Sequence, residues 1–207
     1  MKRHLIATVC VAAFALAACQ KQQASEPVSD ISASSAADSS AVAASDAQGS
    51  GVSSNGVAAT SPNLAAADFV DMAAAGDMYE IQAAKIALRR SKNADVQALA
   101  KMMIKDHTQS TAMVKKAIAE GGESIELPSA LPNDKQEMIG ALNAAGPETF
   151  DKTYLMQQAS AHQDALMLMN NYASTGSDPH LKDAASKISP VVQMHIDHIK
   201  SLQRAMP

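Results

Sequence analysis

The sequence predicts an all-α domain, a four-helix bundle, carried behind an export leader and a polar tether. Three observations predict it. Ala, Leu, Ile and Met dominate residues 63–207 while aromatic residues make up only 3% of the chain and Trp is absent, a mix that favours helices over sheets. Apolar residues recur three and four apart over four long stretches. Each stretch is bounded by a capping residue or by a Gly or Pro stop.

The leader comes first. Met1-Lys2-Arg3-His4 is a positively charged start, and Leu5 to Ala18 is an apolar run shorter than the roughly 20 residues that span a bilayer. It predicts a signal peptide over residues 1–18. The run closes on Leu16-Ala17-Ala18-Cys19, which resembles the bacterial lipobox, so Cys19 is expected to be the lipidated first residue of the mature chain. Each buried methylene of its acyl chains contributes ~0.8 kcal/mol, and more than one chain anchors stably. Gln20 stands where inner-membrane retention calls for Asp, so the expected location is the inner leaflet of the outer membrane, with the domain facing the periplasm.

Residues 19–62 are Ser, Ala, Gly, Asp and Gln with almost no large apolar side chain. Such a composition buries too little surface to offset chain entropy and predicts a tether. Forty such residues span roughly 35 Å as a flexible coil. Both cysteines, Cys10 and Cys19, lie before the tether, so no disulfide is expected in the domain. The net charge of −4 excludes the basic footprint of a nucleic-acid binder.

Residues 63–207 carry the helices. Asn63 is placed to cap a first helix running to about Arg90, with Phe69, Met72, Ala73, Gly76, Glu80, Ala83 and Ala87 on one face. Asn93 caps a second, whose seam is Val96, Leu99, Met103, His107, Val114 and Ile118 and which stops at Gly121-Gly122. Two prolines make residues 123–132 a loop, and a short extra helix follows from Asn133 to about Ala145. A third long helix from Glu148 to about Ser174 has Leu155, Ala159, His162, Leu166, Met169 and Ala173 on its seam. Asp178-Pro179 opens the last, to about Arg204, with Leu181, Ala185, Ile188, Val192, His195, Ile199 and Leu202 on its seam. Pro190 is expected to kink this helix or to split it with Ser189 as a new cap.

Polar residues interrupt these seams at one level. Glu80, His107, His162 and His195 lie within three residues of their helix midpoints, hence within roughly 5 Å of one height at 1.5 Å per residue. Asp106 adjoins His107, Tyr154 is expected to point inward two turns before His162, and His198 shares the His195 face or turns to solvent. Imidazole with carboxylate on facing helices suits iron, zinc, copper or manganese. The competing explanation is a buried polar network in which Glu80, Asp106 and Tyr154 satisfy the histidines without a metal. Met102, Met103, Met167, Met169 and Met194 lie nearby in sequence and serve as core filler or as copper ligands. Arg89-Arg90 and Lys115-Lys116 are expected on solvated helix surface.

Phe69, Gly76 and Glu80 on the first helix, Asp106-His107 on the second, Phe150-Asp151, Tyr154 and His162 on the third, and Pro190 with His195 on the fourth together resemble the domain-of-unknown-function family numbered 4142. That family is found in bacterial envelopes and is related by fold to the ferritin-like superfamily. The resemblance implies a ferritin-like up-and-down four-helix bundle and a metal site by descent, but no activity. The di-iron pattern of that superfamily needs Glu-x-x-His on two helices, and this chain has Ile104 three before His107 and Val192 three before His195. Three functions follow in order: a lipid-anchored module binding a metal ion or small ligand, a structural or interaction lipoprotein, and last an enzyme. Neither a nucleophile elbow nor a phosphate loop nor a zinc-protease signature is present in the sequence.

Overall fold

A computed structural model describes Ser61 and residues 63–206. The leader, Cys19 and the tether up to Gly51–Thr60 and Pro62 lie outside the described residues. The described residues form five helices and no strand: α1 Ala66–Arg90, α2 Ala94–Gly121, α3 Asn133–Ala144, α4 Phe150–Thr175 and α5 Pro179–Ala205.

Local chemistry sets most of the boundaries. Asn93 Oδ1 accepts the backbone N–H groups of Asp95 and Val96, satisfying two of the orphan donors at the start of α2. Gly122 ends that helix with φ at 69°, a left-handed conformation that costs a residue with a Cβ about 1–2 kcal/mol. Asp178 caps α5 by accepting from the Leu181 N–H, with Pro179 in the first turn where its missing N–H does no harm.

Two of these local expectations, at Asn63 and Arg90, are corrected, and at Pro190 one of two alternatives falls away. Asn63 does not cap α1, which starts at Ala66 behind Ala65 and has no side-chain cap; the buried residue of that entry is Leu64, packed into the core. Pro190 does not split α5, which runs unbroken through it, and the Ser189 hydroxyl bonds to Asn170 on α4 instead of capping. Pro190 and Ser186 are both exposed, so the Ser186 carbonyl deprived of its N–H partner faces water, the cheapest place for that loss. Arg90, expected in solvent, is half-buried: it donates to the carbonyls of Leu142, Asn143 and Ala145, closing the end of α3, and lies over the Phe150 ring at 4.7 Å. Arg89, Lys115 and Lys116 are exposed as expected.

The four long helices form a ring in which α1 packs on α2 and α4, and α5 on α2 and α4, while α3 lies against α1 and α4. The core falls into two apolar clusters. One joins Phe69 and Val70 of α1, Val114 and Ile118 of α2, Met169 and Tyr172 of α4, and Leu181 and Ile188 of α5, with Phe69 stacked on Tyr172 at 4.0 Å. The other joins Tyr79 and Ala87 of α1, Leu99 and Met103 of α2, Leu142 of α3, Phe150 and Leu155 of α4, and Ile199 of α5. The first therefore gathers the starts of α1 and α5 with the ends of α2 and α4. Helices α2 and α4 run the same way, and residues 122–149 carry the chain back along the domain between them. The strict up-and-down order that the resemblance implies is thus corrected: every packed pair in the ring is antiparallel, but α2 and α4, successive long helices, run parallel and lie across the ring from one another.

Candidate metal centre

Between the two apolar clusters lies a polar layer. His107 stands at the middle of α2, His162 at the middle of α4 and His195 just past the middle of α5, and all three are buried, at 6%, 1% and 1% exposure. His162 Nε2 is 3.4 Å from His107 Nε2 and 3.2 Å from His195 Nδ1. One nitrogen from each ring lies within 4.8 Å of both others.

The other nitrogen of each ring is already bound. His107 Nδ1 donates to Asp77 Oδ1 at 2.8 Å, His162 Nδ1 to the Gln158 carbonyl at 2.9 Å, and His195 Nε2 to Asp106 Oδ2 at 3.1 Å. A carbonyl or carboxylate only accepts, so each of these ring nitrogens carries the proton, and in the neutral ring the nitrogen facing inward carries a lone pair. Three lone pairs therefore converge. Outer partners that fix tautomer and ring orientation in this way are characteristic of metal-ligating histidine.

The electrostatics of the layer are uneven. Burial pushes the His107 pKa down, but its bond to Asp77 and the charges of Asp77, Glu80 and Asp106 outweigh burial and hold it above the ordinary 6.5. Burial and the neighbouring rings of His107 and His195 hold His162 well below 6.5. Burial lowers His195 too, and the bond to Asp106 restores only part of the loss. Glu80 is fully enclosed, and burial raises its pKa to about 7 against the pull of His107.

Of the residues expected at this site, the structure brings His107, His162, His195 and Asp106 into one connected set. Glu80 lies on its edge, with Oε1 3.6 Å from His162 Nδ1, the protonated side of that ring, and neither carboxylate oxygen completes a hydrogen bond. Tyr154 is buried as expected, its hydroxyl unpartnered and held far above its ordinary pKa by burial and by Glu80. His198 is half-exposed and touches the layer only through its charge effect on His195. Met103 and Met169 are core, while Met167 and Met194 are 44% and 47% exposed.

Asp77 and Gln158 escape a sequence reading that takes one polar residue per helix. Asp77, one turn before Glu80, is buried, and its second oxygen accepts the Thr111 hydroxyl at 2.9 Å. Its signal is the three-residue spacing to Glu80, which places both on the same face of α1. A cavity of about 50 Å³ adjoins the layer, lined by the three imidazoles, Asp77, Glu80 and the thioether-bearing Met169 among others.

No curated protein matches the chain in sequence. Two solved structures share its fold. One is a DUF305 fragment from Deinococcus radiodurans, with TM-score 0.58, 16% identity, and 68% of this chain and 96% of that chain covered. The other is CopM in the Cu(II)-bound form, with TM-score 0.57, 18% identity, and 68% of this chain and 97% of that chain covered. At such identities the likeness is one of fold. A family model described as a domain of unknown function, DUF4142, matches residues 52–202, well over half the chain, and the protein belongs to that family.

Proposed function

We propose that the domain binds one transition-metal ion, copper foremost, through His107 Nε2, His162 Nε2 and His195 Nδ1. The observation that carries this is the convergence of three lone pairs whose rings are each oriented by an outer acceptor. Metal–imidazole bonds of about 2.0–2.1 Å at near-tetrahedral angles put ligand nitrogens roughly 3.3–3.4 Å apart. Two edges of the nitrogen triangle are 3.4 and 3.2 Å, and the third is within 4.8 Å.

Protons alone do not satisfy the set. A second proton on His107, the ring whose pKa is raised, bridges to His162. The 3.2 Å contact between His162 and His195 then still joins two lone pairs, and both of those rings resist protonation. A bound cation relieves both contacts at once, which disfavours the alternative of a purely structural polar network.

An all-nitrogen set suits copper and zinc over manganese, which prefers oxygen ligands. Asp77 and Asp106 are engaged on the far sides of the rings, so the carboxylates that iron sites use are otherwise occupied. The Cu(II)-bound form of CopM, on the same fold, favours copper over zinc. Burial and the small cavity suit holding an ion over turning over a substrate.

The fold is best understood as a ferritin-like four-helix bundle with one long crossover, the connectivity that distinguishes ferritin-like folds from simple up-down bundles. The setting is a bacterial envelope lipoprotein: residues 1–18 a signal peptide, Cys19 lipidated, residues 19–62 a tether, and residues 63–207 in the periplasm from the inner leaflet of the outer membrane. The lipobox-like Leu16-Ala17-Ala18-Cys19 supports it.

Elemental analysis of the full chain, purified without a histidine tag, tests the metal: close to one copper per chain is expected, falling to trace in His162→Gln. Trace levels of copper, zinc, iron and manganese alike would sink the proposal. The anchor is tested separately by the mass of the mature N-terminus in wild type and Cys19→Ser.

A further inference from the structure

We infer, resting on the three-imidazole site, that the groove between α2 and α5 is the door through which a soft monovalent ion, Cu(I) or Ag(I), reaches that site, with the Met113 and Met194 thioethers as its first holding point. The groove has a volume of about 420 Å³ and is lined by Met113, Met194, Gln109 and a floor shared with the inner cavity. That floor is Asp106, Ser110, Ile188 and Val191, and the same four residues line the cavity of about 50 Å³ that contains the imidazoles. The partition between solvent and the histidines is therefore one layer of side chains thick.

The chemistry of the partition favours passage. Asp106 spans it, with Oδ2 on His195 and Oδ1 3.7 Å from the ammonium of the exposed Lys105. The Ser110 hydroxyl is buried in it without a partner. Thioethers are soft, uncharged ligands that select Cu(I) and need lose no proton to bind. Met194 is one of only three large apolar residues strongly exposed among the described residues, and it sits at this mouth. The two lysines of the rim are held by carboxylates, Lys105 by Asp106 and Lys187 by Asp183, so the groove is not a bare positive mouth.

The competing approach is poorer. A second depression, of about 100 Å³ near Asp71, Met72 and Asp164, shares only Lys135 and Leu168 with the inner cavity. Its shared wall is thus narrower than the floor of the groove, which has four residues in common with the inner cavity.

The test follows Cu(I) passing from its bicinchoninate complex to the full chain by the loss of chelator absorbance. The Met113→Leu/Met194→Leu double variant is expected to keep wild-type stoichiometry and affinity within twofold while transfer slows at least fivefold. Met156→Leu, exposed but far from the groove in sequence and lining, is expected to change neither. An unaltered rate in the double variant, or equal slowing in Met156→Leu, overturns the proposal. A second measurement separates this from failure of the imidazole site. In His162→Gln protein carrying ¹³C-methyl methionine, Ag(I) is expected to shift the Met113 and Met194 resonances and leave Met156 in place. Shifts in Met156 as large as theirs, or none in the pair, overturn the groove whatever the histidines do.

Discussion

Adding copper to metal-free protein and replacing His162 test the same physical idea from both sides. An ion that binds only the folded chain stabilises it by about 2.7 kcal/mol at a free concentration 100 times Kd. For a domain of this length, residues 63–206, each kcal/mol moves the melting temperature by roughly 3–4 °C, so a rise of roughly 8–11 °C is expected. His162 is the ring whose Nε2 touches both other inward nitrogens, at 3.4 and 3.2 Å, so its loss removes both short edges of the triangle. Glutamine in its place keeps most of the buried volume but supplies no imidazole. The copper-induced rise, read by circular dichroism at matched concentrations, is expected to shrink below about 2 °C in His162→Gln. The comparison is between shifts, so any intrinsic cost of the substitution cancels. Equal rises in both proteins, or no rise in wild type with copper or zinc, would refute the reasoning.

Other outcomes follow from the surroundings of the site. Asp77→Asn keeps an acceptor for His107 but removes its charge; metal affinity is expected to fall about 10- to 100-fold, and the His107 pKa, followed by NMR in metal-free protein, to drop. Glu80 has its pKa raised from 4.5 to about 7, so the folded state favours its protonated form, and the stability this gives is fully present below 4.5 and is lost as pH rises to about 7. The loss amounts to roughly 3 kcal/mol. Urea unfolding of metal-free Glu80→Gln should therefore gain on wild type by about that much between pH 4.5 and 8, and parallel curves would contradict it. Phe69→Ala removes a fully buried ring stacked on Tyr172 and is expected to cost about 3–5 kcal/mol in urea while leaving metal affinity unchanged, because Phe69 belongs to the apolar cluster and not to the polar layer.

Much of this architecture was legible because local rules and packing agree. Asn93, Gly122 and Asp178 act where their side chains or backbone freedom predict, and the seam histidines of α2, α4 and α5 meet because a common height follows from helix rise alone. What was hidden depends on contacts distant in sequence. Arg90 looked like one of a pair of surface cations, and only the arrival of α3 supplies the three carbonyls it binds. Pro190 reads in the sequence as a kink or a break, and its position on the exposed side of α5, where water takes over the orphaned carbonyl, is what lets the helix run on through it.

Asp77 and the crossover show what a finer reading of the chain uses. Residues three apart on a helix differ by about 60° around the axis, so Asp77 and Glu80 both face inward, yet one turn separates them in height. Asp77 meets His107 Nδ1, and Glu80 meets the His162 edge instead. Taking a single acid from α1 therefore finds the layer but chooses the carboxylate that does not orient a ring. Connectivity has a similar clue in length. A helix such as α2, Ala94–Gly121, is about 42 Å long at 1.5 Å per residue. A tight turn after it forces the next helix to run antiparallel, whereas residues 122–149, with 12 of them in α3, are long enough to return along the domain first. That return places α2 and α4 parallel across the ring, and it is what allows His107 and His162, at the midpoints of two non-adjacent helices, to meet nitrogen to nitrogen at the centre instead of standing side by side on one wall.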